Sequence, residues 1–233
     1  MLVIFFLTIC LDFITSLNFP MSLKVNEIYF SIQGESTHAG RPCIFIRLTY
    51  CNLRCTYCDT AYAFYEGKDM EIPEIMENIK QWNCHLVEVT GGEPLFQDEC
   101  LTLLNELLKK NYEVMLETGG SLPISSVPEG VINIIDFKCP SSGMEKNNLW
   151  SIVDNLHIHD EVKFVIGNRK DYEWAKEKIE QYHLTKQYTV LFSPIFNEIN
   201  PEIIVEWILE DSLPVRFQMQ IHKYIWKPES KGV

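Results

Sequence analysis

Short apolar runs that alternate with amphipathic segments restrict the fold of this chain more than any other feature of its sequence. Runs typical of strands occur at 24–30, 43–49, 86–90, 112–117, 131–137, 161–166, 188–193 and 214–220. Helical periodicity fits 71–82, 97–110, 170–183 and 201–210. Because strands that alternate with helices form βαβ units, the pattern predicts an α/β fold with a largely parallel sheet. The units number fewer than the eight of a closed barrel, so we expect a partial (β/α) barrel.

The length and charge of the chain argue against several classes of function. Its 233 residues suit one domain with a sizeable core. The 20 basic and 32 acidic side chains give a formal net charge of −12. Non-specific nucleic-acid binding relies on a basic surface, so we expect no nucleic-acid partner and a small-molecule substrate instead.

The first 20 residues look foreign to the rest of the sequence. They are apolar, but they contain Asp12 and lack the positive amino-terminal region of a signal peptide. The stretch is too interrupted for a membrane span, and no later stretch could cross a bilayer. We expect 1–20 to be an extension, either upstream of a functional start at Met21 or a flexible or locally packed addition, and 21–233 to be the working domain. Membrane tethering is the less favoured alternative.

Three of the eight cysteines lie close together, at Cys51, Cys55 and Cys58. This spacing lets three thiolates hold one soft metal centre on a single loop, and thiolate ligands imply a reducing compartment such as the cytoplasm. Three ligands do not complete the four-coordinate site of structural zinc or of an ordinary electron-transfer cluster. A half-built zinc site therefore stays open as an alternative at this point.

A second motif, Thr90-Gly91-Gly92-Glu93-Pro94, follows the predicted strand 86–90 and precedes a predicted helix. Glycines at a strand end let the backbone approach a ligand closely, and an acid there can accept a hydrogen bond from an ammonium group. A tight strand-to-helix turn would explain the glycines alone. It would not explain why they occur together with the cysteine loop.

The unusual polar residues of the sequence come at or near the ends of predicted strands. The cysteine loop follows 43–49, and Lys163 lies within 161–166. Other strand ends carry Glu117, Asp136, Lys138, Ser193 and His222. In barrels of this kind, ligand-binding groups sit at the carboxyl ends of the strands, so we expect these residues on one rim.

The cysteine loop, with an aromatic residue before its last cysteine, and the Gly-Gly-Glu-Pro motif together resemble the radical S-adenosylmethionine (SAM) enzymes. The resemblance implies a partial barrel of the radical SAM type, with a [4Fe–4S] cluster on Cys51, Cys55 and Cys58 and its fourth iron open to SAM. It implies that SAM is cleaved to a 5′-deoxyadenosyl radical, chemistry that the cofactors supply. It implies SAM contacts from Tyr57, Cys58, Asp59, Gly92, Glu93, Glu117, Asp136, Phe137, Lys138 and Ser193.

The sequence around these motifs resembles one family among the radical SAM enzymes. Ser31-Ile-Gln-Gly-Glu35, Cys58-Asp-Thr60 and the ending from Arg216 to Val233 are similar to the 7-carboxy-7-deazaguanine synthase family. The resemblance runs from Lys24 to Val233. It implies conversion of 6-carboxy-5,6,7,8-tetrahydropterin to 7-carboxy-7-deazaguanine with loss of ammonia, on the route to queuosine and related 7-deazapurines. It also implies a need for Mg²⁺ and a homodimer.

The same resemblance implies residue roles that suit a flat, carboxylated pterin. Thr60 would bind Mg²⁺, to which a hydroxyl offers the hard oxygen that this ion prefers. Arg47 could pair with the substrate carboxylate through both of its donor edges. The expected substrate contacts are Ile32, Gln33, Gly34, Glu35, Arg47, Thr90 and His222. We also expect an electron donor such as flavodoxin or ferredoxin, and a carboxy-terminal tail that covers the substrate.

Other interpretations of these residues stay open at the level of sequence. Arg47 could pair with an acid, Thr60 could cap a turn, and His222 could be a core histidine. The nearest alternative function is an activase that installs a glycyl radical in a partner protein, because such enzymes share the cysteine loop and the small size. The alternative from another class is a non-catalytic zinc-binding module.

Overall fold

The computed structural model describes residues 22–228 and 230–233, so the predicted extension 1–20 lies outside the described residues. Nine strands form one sheet in the order β3-β1-β2-β4-β5-β6-β7-β8-β9. They are β1 (Ser22–Ile32), β2 (Pro42–Leu48), β3 (Lys68–Glu71), β4 (Leu86–Gly91), β5 (Glu113–Thr118), β6 (Val131–Phe137), β7 (Glu161–Ile166), β8 (Thr189–Pro194) and β9 (Arg216–Phe217). From β2 across to β9 every pair is parallel, whereas β1 is antiparallel to β2 and β3. The predicted α/β partial barrel is confirmed.

Helices cover the outer face of this sheet. They are α1 (Ile72–Ile79), α2 (Cys100–Lys109), α3 (Arg169–Gln181) and α4 (Pro201–Glu210), whereas the short helix α5 (His222–Ile225) lies at the cavity instead. Asn200 caps α4, since its side chain accepts a hydrogen bond from the Glu202 amide at 3.2 Å. The apolar faces of α1 and α2 bury one core cluster against the first strands, and those of α3 and α4 bury a second against the last. Among the described residues, no helix is long and apolar enough to cross a membrane.

The structure differs from the sequence-based prediction in two segments. The predicted strand 214–220 shrinks to Arg216–Phe217, and α5 starts at His222. A 3₁₀ turn and the short strand β3 occupy 61–71, where no element was predicted. No helix was predicted between β5 and β6 or between β6 and β7, and no α-helix occurs there: the first loop contains Pro123 and Pro128, and the second contains Pro140 and has Gly143 in a left-handed conformation.

The loop after β1 closes the gap in the barrel by reaching the far edge of the sheet. The Gly34 carbonyl accepts a hydrogen bond from the Ile221 amide at 3.0 Å, and the Ser36 amide donates to Gln218 Oε1 at 2.7 Å. The Thr37 amide donates to Glu161, at the start of β7, at 3.1 Å. The loop therefore brings residues 33–35 to the same interior as the segment that follows β9.

Strands β2 and β4 approach so closely at their carboxyl ends that only glycine fits. Gly91 has φ +153°, and a β-carbon there would lie 2.2 Å from the Leu48 carbonyl oxygen. At Gly92 a β-carbon would lie 2.1 Å from the Tyr50 carbonyl oxygen and 2.8 Å from Cys51 Cβ. The glycines of the second motif thus place the cysteine loop directly against the end of β4.

We expect Gly91→Ala to destabilise the protein by more than about 2 kcal/mol, because backbone strain and a steric clash with β2 add together. Gly40 is the matched control: it also has a positive φ (+89°), but nothing lies within 4 Å of a β-carbon built on it. Gly40→Ala should cost about 1–2 kcal/mol, for the strain alone. Urea unfolding of both variants tests this, and equal losses would mean that the close approach of β2 and β4 is not rigid.

Candidate active site

A cavity of about 760 Å³ opens at the carboxyl ends of the parallel strands, a volume suited to small ligands. Most of the residues predicted from sequence line it. Those residues are Ile32, Gln33, Gly34, Glu35, Arg47, Cys51, Cys55, Tyr57, Cys58, Asp59, Thr60, Thr90, Gly92, Glu117, Asp136, Lys138 and His222. The loop after β1, the cysteine loop and the carboxy-terminal segment therefore share one chamber.

The three cysteines form one wall of this cavity. All three are free and half-buried. The cysteine loop is fastened by Thr56, whose amide and hydroxyl donate to the carbonyls of Ser142 and Ser141 at 3.0 Å and 2.7 Å. Burial raises the pKa of the Cys55 thiol to about 11, and the nearby Lys138 opposes that rise. Binding a metal centre would replace the thiol protons and relieve this cost of burial.

The donor set fits an iron–sulfur cluster. In the described part of the chain, no three His, Cys, Asp or Glu side chains converge closely enough to hold one metal ion. A [4Fe–4S] cluster makes no such demand, because its cysteine ligands bind different iron atoms. Three thiols spread over one wall, with cavity space beside them, suit a cluster that has one iron open.

Two buried polar atoms beside the cysteines lack partners within the protein. Tyr57 Oη and Asp136 Oδ1 are enclosed, and neither makes a hydrogen bond among the described residues. The other oxygen of Asp136 accepts from Lys138 Nζ at 2.9 Å. An unpaired buried polar atom costs free energy, so these two atoms mark a place for a ligand rich in donors and acceptors. The ribose and amino groups of SAM meet that requirement.

Three residues predicted to contact SAM do not line the cavity. Glu93 is fully buried, and its carboxylate accepts from the Leu95 amide, the Thr118 hydroxyl and the Gly119 amide at 3.1, 2.8 and 2.8 Å. It fastens the turn after β4 to the end of β5. Phe137 follows the inward-facing Asp136 and so faces outward, where its ring stacks on Trp150 with centroids 4.4 Å apart. Ser193 is buried and does not line the cavity, although Val165, its register partner on β7, does; its hydroxyl has no partner among the described residues.

A buried ion cluster links the wall beside the cysteines to the loop after β1. Lys163 is only 3% exposed, within the barrel rather than on its rim. Its ammonium group contacts Glu35 at 3.0 Å, Asp136 at 3.4 Å and also Glu117. Burial lowers the pKa of Lys163, but these carboxylates outweigh burial and hold it well above its usual value. Burial raises the pKa of Glu35, but Lys163 and His222 outweigh it and bring that pKa down to about 2.

Glu88 was not predicted, although an acid in the middle of the apolar run 86–90 is a signal that could have found it. It lies on the cavity wall and is 3% exposed. Burial, and then the charges of Glu117 and Glu35, raise its pKa well above the usual value for glutamate. It accepts a hydrogen bond from the side-chain amide of Gln33, whose own oxygen accepts from the Glu35 amide at 2.9 Å. The raised pKa favours the protonated form of Glu88, whose carboxyl group orients Gln33.

Arg47 pairs with an acid and also lines the cavity. The ion pair that was the alternative interpretation of Arg47 is therefore compatible with a role in the cavity. Its Nε donates to Glu27 Oε1 at 2.8 Å, and Nη2 donates to Tyr29 Oη at 2.9 Å. Tyr62 Oη donates to the same Glu27 oxygen at 2.8 Å. Sequence reasoning missed Glu27, Tyr29 and Tyr62, since nothing in their local pattern distinguishes them from ordinary strand and turn residues.

The carboxy-terminal segment forms the remaining wall. His222 packs on Gly34, where an added β-carbon would lie 2.0 Å from His222 Nδ1. Burial lowers the pKa of His222, so its ring is neutral near pH 7. Lys223 Nζ pairs with Asp59, in the cysteine loop, at 2.5 Å. Pro228 and the terminal residues 230–233 also line the cavity.

The comparisons with known proteins agree with this geometry. Residues 45–137 match the Radical SAM superfamily. The crystal structure of QueE from Escherichia coli matches with a TM-score of 0.72 at 22% identity, covering 85% of this chain and 94% of that chain, which shows a shared fold. With the cysteine loop at the carboxyl ends of a partial barrel, these matches define the chain as a radical SAM enzyme.

Two curated relatives narrow this class. The 7-carboxy-7-deazaguanine synthase of Koribacter versatilis is 43% identical over 91% of this chain and 100% of its own length. The protein of that name from Chlorobaculum tepidum is 44% identical over 91% of this chain and 97% of its own length. The chain therefore belongs to the 7-carboxy-7-deazaguanine synthase family.

The neutral state of Glu88 leads to a prediction for pH. A carboxyl group whose pKa is raised by folding keeps its proton in the native state and releases it on unfolding, so it lowers stability as pH rises above the usual glutamate pKa. Glu88→Gln removes this penalty. We expect its stability advantage over the parent protein to grow between about pH 5 and pH 8.

Urea midpoints across that range measure the effect. The matched control is Glu180→Gln, at an exposed position near the end of α3, which should follow the parent protein at every pH. A Glu88→Gln variant that is less stable than the parent protein by a constant amount at all pH values would mean that Glu88 is ionised in the native state.

Proposed function

We propose that this chain converts 6-carboxy-5,6,7,8-tetrahydropterin to 7-carboxy-7-deazaguanine with loss of ammonia, on the route to queuosine and related 7-deazapurines. One observation carries the proposal. A single cavity has the three cysteines of a radical SAM enzyme on one wall and Gln33, Arg47 and Thr60 on the others. The two curated relatives carry the name of this activity and match this chain over nearly their full length.

Cys51, Cys55 and Cys58 would hold the [4Fe–4S] cluster. The reduced cluster and SAM together supply a carbon-centred radical. On the protein side, Tyr57 and Asp136 offer the unpaired polar atoms described above for SAM. The absence of a side chain at Gly92 lets the cysteine loop pack directly against the end of β4, which holds the cluster-binding wall beside the space proposed for SAM. Tyr57, Asp136 and Gly92 orient SAM, and the protein itself performs no redox step.

The pterin would lie between the loop after β1 and the carboxy-terminal segment. Gln33, oriented by Glu88, and Glu35 present polar groups to its donor-rich edge. Arg47 receives the carboxylate, and Thr90 faces the same space from β4. His222 and the terminal residues cover the open side. Their cover excludes water, which protects a radical from side reactions.

Thr60 is the proposed Mg²⁺ ligand. Its hydroxyl lies on the cavity wall, 3.7 Å from Cys58 Sγ. Thr60 precedes the 3₁₀ turn Ala61–Phe64, but its side chain makes no capping hydrogen bond there. Its hydrogen-bond partner is the Cys58 sulfur, and once that sulfur binds the cluster the hydroxyl would be available to a hard cation together with the substrate carboxylate and water.

The remaining features of the proposal concern partners. The cluster needs an electron donor such as flavodoxin or ferredoxin, and we propose that the enzyme works as a homodimer. Free cysteine ligands require a reducing compartment, which favours the cytoplasm.

The test of the proposed function is turnover of the pterin by the protein reconstituted anaerobically with iron and sulfide, supplied with SAM, Mg²⁺ and a chemical reductant in place of the electron donor, and with no other protein present. We expect 7-carboxy-7-deazaguanine and 5′-deoxyadenosine from the parent protein, and neither from Cys55→Ala, because two thiolates do not retain the cluster. Turnover that requires a partner protein would favour a glycyl-radical activase. Zinc bound at one ion per chain, in place of about four irons, would contradict the enzyme assignment.

The role of Thr60 leads to a separate prediction. Thr60→Ala should lose at least about tenfold in pterin turnover while it binds SAM as the parent protein does, because the variant lacks the hydroxyl ligand that positions the substrate. Thr60→Ser keeps a hydroxyl group and should recover most of the activity. Equal turnover of the parent protein with Mg²⁺ and with a chelator would remove this role.

A further inference from the structure

The side chain of Glu27 reaches the cavity only because β1 contains a bulge. In the pairing of β1 with β2, Val25 lies opposite Leu48 and Glu27 lies opposite Arg47, so Asn26 is one extra residue. Before the bulge, Val25 packs into the core beneath the helices. After it, the faces exchange, and Glu27 lines the cavity. Bulges re-aim side chains in this way and are frequent beside active sites.

The carboxylate of Glu27 accepts hydrogen bonds from two donors. Glu27 Oε1 accepts from Arg47 Nε and from Tyr62 Oη, both at 2.8 Å. Tyr29 Oη accepts a separate hydrogen bond from Arg47 Nη2 at 2.9 Å. The guanidinium plane is thus fixed on two sides, and Nη1 makes no hydrogen bond among the described residues.

Glu27 also connects segments that are far apart in sequence. Tyr62 stands two residues after the proposed magnesium ligand, Thr60. The Lys231 ammonium lies 4.0 Å from the centre of the Tyr62 ring, and a β-carbon built on Gly232 would lie 3.9 Å from Glu27 Oε2. The carboxylate therefore binds β2 and the turn after the cysteine loop, and it lies next to the carboxy-terminal segment.

We infer that Glu27 is a positioning residue that aims Arg47 at the carboxylate of the substrate, and the inference rests on the proposed function. Two effects of Glu27 oppose each other. Its negative charge weakens the attraction of Arg47 for an anion, whereas its hydrogen bond fixes a side chain that would otherwise lose about 2 kcal/mol of rotamer entropy on binding. The anchoring by Tyr29 and the shared oxygen favour orientation as the dominant effect.

Glu27→Ala tests which effect dominates. If Glu27 positions Arg47, the variant should raise KM for the pterin about tenfold, as expected when one hydrogen-bonded anchor is lost. Calorimetric titration of the pterin into the protein without the cluster should show the same weakening. The dissociation constant of SAM should not change. Glu27→Gln keeps the acceptor oxygen, so its KM should fall between those of the parent protein and Glu27→Ala.

The matched control is Glu113→Ala, which breaks the ion pair of Glu113 with Arg41 outside the cavity, where Arg41 Nη1 lies 2.8 Å from Glu113 Oε1. It should leave KM unchanged. An unchanged or lower KM in Glu27→Ala would overturn the inference, as would equal losses of pterin and SAM binding or a Glu27→Gln variant as weak as Glu27→Ala.

If Glu27→Ala does not fold, Glu27→Asp tests the inference instead. This variant keeps the negative charge, but its side chain is one methylene group shorter, so the carboxylate lies farther from Arg47. Positioning predicts a raised KM for this variant, and an unchanged KM would contradict it. Failure of the proposed function is a distinct outcome, since the parent protein would then form no product from the pterin.

Discussion

The buried ammonium group of Lys163 is the interaction on which the site depends most. It contacts carboxylates from three separate segments, namely the loop after β1 and the ends of β5 and β6. A buried ammonium without partners would lose its proton or destabilise the fold, and buried carboxylates without a cation would repel one another. The lysine and the acids therefore stabilise each other, and this part of the cavity is fixed by charge rather than by apolar packing.

Much of the fold could be predicted because its signals are local. Apolar runs and helical periodicity predicted the parallel strands β2 and β4 to β8, and the four longer helices, to within a few residues. The strand β3 and the helix α5 were missed because four-residue elements contain too few residues to show a period. The bulge at Asn26 was missed for another reason: only pairing with β2 reveals that one residue is extra.

The site was predictable where a motif carries the chemistry and less so where packing decides. The spacing of the cysteines and the glycines was enough to place them in one chamber. For Glu93 and Phe137, the motif gave the position in sequence but not the direction of the side chain, which hydrogen bonding and strand alternation determine. Glu88 and Lys163 stand out as charged residues within apolar strands, but their partners Gln33 and Glu35 lie in the distant loop after β1, and a single sequence does not reveal such pairings.

The ion cluster also has a consequence for the direction in which ligands enter. It contains Lys138, Lys163, Glu35, Glu117 and Asp136. One more carboxylate than ammonium group lies along this wall, so the wall attracts a cation and repels an anion. Under the proposed function, this wall would suit the sulfonium ion of SAM and, at Glu35, the donor-rich edge of the pterin, but it would disfavour the pterin carboxylate. The pterin carboxylate would then be favoured beside Arg47, the cation from β2 that also lines the cavity. The excess of one negative charge on this wall would therefore help to orient both ligands in the cavity.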